Sequence, residues 1–66
     1  MPKTLEELAT MLAKRDNLTY EEAMAAIRDT AAMMEDAFYE GSVDEAETIL
    51  REELGLEPDY MDLFIF

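Results

Sequence analysis

The chain has 66 residues with no Cys and no His, which excludes a disulfide staple and a Cys/His zinc site as sources of stability. Seventeen Asp and Glu stand against five Lys and Arg, a net charge of −12 that repels nucleic acid and anionic membrane and attracts basic surfaces. Half of the residues are hydrophobic and they recur at helical spacing, so the acidity is not that of a disordered tract.

A chain of this size is expected to be one domain over residues 1–66, near the limit at which a single core suffices. The opening MPKTLEELAT has no apolar run, and no stretch approaches the ~18 apolar residues that span a bilayer. The expectation is a cytoplasmic protein.

The first helix is predicted at about 5–15, with Leu5, Leu8, Ala9 and Leu12 on one stripe and Met11 beside it. Lys14 and Arg15 fall at its C-terminal end, where the helix dipole favours cations, and Asp16-Asn17 breaks it. The second helix is predicted at about 20–40. One stripe carries Tyr20, Ala23, Met24, Ile27, Ala31, Met34 and Phe38, and an adjoining one carries Ala26, Thr30, Met33 and Ala37. So wide an apolar arc predicts a central helix packed on two sides, with Phe38→Ala among the most damaging substitutions. Gly41 is its expected C-cap.

The third helix is predicted at 43–54, burying Val43, Ala46, Ile49, Leu50 and Leu54, with Gly55 ending it. Thr4/Glu7, Thr19/Glu22 and Ser42/Glu45 each match the capping box, in which a hydroxyl and a Glu three residues later bond one another's free backbone N–H. A short fourth helix is predicted at 58–64, with Pro58 in its first turn. The fold class is therefore all-α: a three-helix bundle with a short C-terminal helix and a central second helix. The closing Leu63-Phe64-Ile65-Phe66 is too apolar for a free tail. It is expected to close the end of the bundle in a monomer; a homodimer through this tail is the alternative.

Enzymatic chemistry has little to stand on. Ser42 is the only Ser and is assigned to a cap, and with neither His nor Cys there is no partner for a nucleophile. Carboxylate pairs are unavoidable at this composition and none is specific. The stretch DAFYEGSVDEAE sets Gly41 at the sixth position of a calcium loop, but its third position is Phe38, which offers no oxygen. The six Met are read as core filling rather than a plastic binding groove. LEELATMLAKRDNLTYEEAMAAI has a helix-turn-helix cadence, yet its recognition position offers Tyr20, Glu21 and Glu22, which repel phosphate. No catalytic residue, metal or cofactor is expected, nor direct nucleic-acid or membrane binding.

The distribution of charge is the remaining signal. Residues 1–15 set Lys3, Lys14 and Arg15 against Glu6 and Glu7, for +1, while residues 16–66 set fifteen acids against Arg28 and Arg51, for −13. The candidate partner-binding residues are Glu35, Asp36, Glu40, Asp44, Glu45, Glu47, Glu52 and Glu53, with Asp29, Asp59 and Asp62 nearby. Carboxylates three or four apart on a helix recur every ~5–6 Å, on the scale of a phosphate backbone with charges about 3.4 Å apart along each strand's axis. Solubility is served by a net charge of about 2–8, and charge beyond that adds self-repulsion.

A short, Cys-free, all-helical, strongly acidic chain resembles the small anti-defence proteins of bacteriophages, in particular DNA-mimicking anti-CRISPR proteins. The match is one of size, charge and class over the whole chain and carries no site residues with it. The resemblance implies a stoichiometric inhibitor that occupies the DNA channel or PAM-reading surface of a CRISPR effector. The alternatives are an adaptor or antitoxin-like module gripping a basic peptide, and a structural helical protein with solubilising charge.

Overall fold

The computed structural model describes residues 1–64 and places three α-helices in chain order: α1 (Leu5–Asp16), α2 (Tyr20–Tyr39) and α3 (Val43–Leu54). A 3₁₀ segment, Pro58–Phe64, follows, and there is no strand among the described residues. The fold is all-α, with α2 in the centre: it packs against both α1 and α3, which meet each other far less. At ~1.5 Å per residue, the twenty residues of α2 extend about 30 Å and set the long axis of a 33 × 20 × 19 Å molecule.

Local chemistry fixes where each helix starts. Thr4, Thr19 and Ser42 accept hydrogen bonds from the backbone N–H of Glu7, Glu22 and Glu45 at 3.1, 3.0 and 3.2 Å. The reciprocal half of the capping box is formed at α2, where Glu22 Oε1 accepts from Thr19 N–H at 2.8 Å. Glu7 instead accepts from the backbone of Lys3 at 3.2 Å. At α3 the Ser42 N–H is already committed to the Ala37 carbonyl, 2.9 Å away, so it has no donor left for Glu45.

That Ser42–Ala37 bond belongs to the connection that reverses the chain. With Gly41 N–H donating to the Phe38 carbonyl at 2.9 Å, it forms a Schellman motif, and Gly41 takes the left-handed φ of 81° that the motif needs. The helix thus ends at Tyr39, one residue before the predicted boundary, with Glu40 as its cap. α1 runs one residue longer than predicted, to Asp16, and Asn17 takes the left-handed position at φ 57°.

The core joins Leu8, Ala9 and Leu12 of α1, Ala23, Ile27, Met34 and Ala37 of α2, Ala46, Leu50 and Leu54 of α3, and Leu56 and Phe64 beyond them. Thr30, the one buried polar residue among those described, donates its hydroxyl to the Ala26 carbonyl at 2.8 Å. Four residues of the expected stripes need correction. Phe38 packs against the core but is only half-buried, near the end of α2. Tyr20 and Val43 are exposed because each is the first residue of its helix. A helical Cβ leans toward the N-terminus, so these side chains point past the helix start rather than across to a neighbour. Met33 is exposed as well, at the outer margin of the second stripe.

The C-terminal stretch does close the bundle, as far as it is described. Phe64 is the largest fully buried side chain and Leu63 is half-buried against the core, while Ile65 and Phe66 lie outside the described residues. The predicted short fourth helix forms over these residues as a 3₁₀ turn; it packs on α3 and meets α1 through the Tyr60 hydroxyl and Met11 Sδ, 3.9 Å apart. A second tie joins α1 to α3. Arg15 at the end of α1 donates to the Leu54 carbonyl at 2.6 Å while gripping Asp16 with two bonds of 2.8 Å. Its guanidinium would lie 3.7 Å from a Cβ at residue 55, and φ there is +64°, so Gly suits the position on both counts.

Candidate functional site

Each candidate carboxylate takes its position from the helix that carries it. On α3 the stripe Ala46, Leu50 and Leu54 is buried, and at roughly 100° per residue Asp44, Glu45 and Glu52 fall on the opposite side. All three are exposed. Glu47 and Glu53 lie about 60° to either side of Leu50, on opposite flanks of that stripe. Glu53 is exposed, whereas Glu47 is half-buried at the rim of an open groove of about 210 Å³ that it lines with Arg51, Gly55, Leu56, Glu57 and Pro58.

On α2 the buried stripe Ala23, Ile27, Thr30, Met34 and Ala37 turns Glu35 to one side and Asp36 to the other. Asp36 continues a row of exposed acids with Glu22 and Asp29 before it and Glu40 after it. The structure thus groups Asp44, Glu45 and Glu52 on one outward face of α3, and Asp36 and Glu40 at the end of one row on α2. It does not bring all eight onto a single helix face: Glu35, Glu47 and Glu53 point elsewhere on the circumference of their helices.

The electrostatics of the two halves differ. Among the described residues one ion pair forms, Arg15–Asp16 at 2.8 Å. That contact, chiefly its hydrogen bond, raises the Arg15 pKa and lowers that of Asp16. Glu22 is also held below the ordinary carboxylate range, by the backbone hydrogen bond from Thr19. None of the eight candidate carboxylates forms an ion pair or a side-chain hydrogen bond among the described residues, although Arg51 lies four residues from Glu47. Nor does any group of three or more acids there stand close enough to hold a metal ion. Chemically, the surface can accept hydrogen bonds and pair with cations. No helix among the described residues is long and apolar enough to cross a membrane.

Charge reasoning passed over one feature of this region. Tyr39, the last residue of α2, is 94% exposed, and Val43 four residues on is 55% exposed. The signal was present in the periodicity, because Tyr39 stands opposite the buried stripe of α2; Val43 was hidden by its apparent place on the stripe of α3. No family model matches the chain, and comparison with curated proteins and with solved structures gives no match.

Proposed function

We propose that this chain is a binding protein that blocks a basic, nucleic-acid-binding surface of another protein by standing in for a DNA phosphate backbone, as an inhibitor of a CRISPR effector would. One observation carries the reading: of the eight carboxylates at the end of α2 and along α3, seven are exposed and none forms an ion pair among the described residues. Rigid helices with satisfied ends hold them in place, so little ordering entropy opposes their pairing with an opposing row of Lys and Arg. The near-neutral first fifteen residues make the charge directional.

The test is a combined Asp44→Asn, Glu45→Gln and Glu52→Gln variant. All three side chains face away from the core, and Glu45 serves the helix start through its backbone N–H, which Gln keeps. Melting should therefore change little. Close opposite charges across an interface couple by ~1.5–7 kcal/mol in measured cases, so binding should fall by an order of magnitude or more. Proteins captured from a lysate by the parent chain should be released by competing duplex DNA and by salt, and the variant should not retain them. Partners indifferent to DNA would identify an adaptor instead. If the variant retains a DNA-displaceable partner as well as the parent does at physiological salt, mimicry by this face is wrong.

A further inference from the structure

A phosphate mimic needs carboxylates, not an aromatic ring, yet the most exposed large apolar residue described is Tyr39, at the corner where α2 turns into α3. It stands at the end of an outward row on α2 with exposed Ala25 and Ala32, spaced seven residues apart, and exposed Val43 follows just past the turn. Exposed Arg28 stands on the same face between the two alanines, so the open approach lies at the end of the row, from Ala32 to the Tyr39 ring. Glu35 and Asp36, one turn before Tyr39, lie ~5–6 Å from it between Cβ atoms, one to each side of the row.

The charge around this row selects its occupant. A second copy of the chain would bring another −12 and the same acids to the same corner, so self-association here is opposed. Phe64 is not available as an occupant either, since it is buried in the chain's own core. What fits is a cation with a flat face. An arginine guanidinium can stack on the Tyr39 ring and still direct its in-plane N–H groups to Glu35 or Asp36, whereas a lysine ammonium is a strongly hydrated point charge.

We infer that Tyr39 is the anchor of the interaction surface and that the partner segment seated there presents an arginine, stacked on the ring and paired with a carboxylate of the preceding turn. This rests on the reading of the acidic half as a surface for a basic partner, and adds what that partner must carry.

Octa-arginine and octa-lysine peptides test it, because they have the same charge and differ in the head group, planar in one and a compact ammonium in the other. Titration calorimetry of the parent should show tighter binding of octa-arginine. Tyr39→Ala should weaken octa-arginine about two- to fivefold while leaving octa-lysine unchanged, and Tyr39→Phe should keep the preference. The ring is solvated, so melting curves of both variants should overlay the parent's. The Asp44/Glu45/Glu52 triple variant should weaken both peptides alike, and so reports on the phosphate-mimic face separately. If Tyr39→Ala leaves the arginine preference intact, or weakens both peptides equally, the anchor is wrong whatever the triple variant does. If neither peptide binds the parent, both readings fall.

Discussion

The first helix and the α2–α3 half use charge in opposite ways. In α1, Arg15 is spent inside the molecule: it pairs with Asp16 and closes over the Leu54 carbonyl, tying the C-terminal ends of α1 and α3. From residue 33 to residue 62, eleven carboxylates face Arg51 alone and enter no ion pair among the described residues. Charge in the first region holds the fold, and charge in the second region is left over by it. A surface that contributes nothing to its own helix packing is free to be read by something else.

If that contrast is right, the acidic half must be held by its apolar contacts, and the largest effect should come from there. Phe64→Ala removes the biggest fully buried side chain among the described residues, in the segment packed on α3, and should cost ~3–5 kcal/mol. Phe38→Ala, at a half-buried position, should cost clearly less. Urea denaturation of both variants measures the difference. Equal losses would mean that the C-terminal segment is not a working part of the core.

These two phenylalanines also show what a one-dimensional reading can and cannot reach. All three α-helices, their start residues and the central place of α2 follow from capping residues and a 3.6 period, because those are local facts. Which of two adjoining positions is buried is not local. Both Ala37 and Phe38 stand on apolar stripes of α2, yet Ala37 is buried and Phe38 only half-buried. The bond from Arg15 to Leu54 spans 39 residues and leaves no trace in either segment alone. On the candidate surface, periodicity correctly turned Asp44, Glu45 and Glu52 outward. It also set Glu47 and Glu53 on the flanks of the α3 stripe; what it could not show is how the rows on α2 and α3 stand to one another, since that depends on how the helices pack.

The contrast is sharpened by exchanging single cations. Arg15→Ala leaves the Leu54 carbonyl without its charged donor and should lower stability by about 1 kcal/mol, the lower end being apt for a side chain 41% exposed. Arg51→Ala, at an exposed position without an ion pair, should change stability by a few tenths of a kcal/mol at most. Chemical denaturation in parallel tells them apart. Should Arg51→Ala prove the more costly, the carboxylates of α3 are engaged internally after all, and the surplus that marks them as a binding surface is lost.

The smallest effect concerns the one structural carboxylate that belongs to α2 itself. Glu22 is held below the ordinary Glu range because its carboxylate accepts the Thr19 N–H. A carboxylate whose pKa is lower folded than unfolded adds stability at pH above its unfolded value, about 4.3, and that contribution disappears as pH falls through the folded value. Asp16, lowered by Arg15, acts in the same direction. Glu22→Gln removes this carboxylate alone and leaves the acids of α3 in place. Between pH 5 and pH 3 the parent should lose stability relative to this variant, so the two melting temperatures should converge on acidification. High salt screens the surface repulsion in both proteins and should leave that convergence in place. A gap between them that is constant across this range would show that the cap does not depend on the charge of Glu22, and that even the structural carboxylates of this chain act as uncharged hydrogen-bond acceptors.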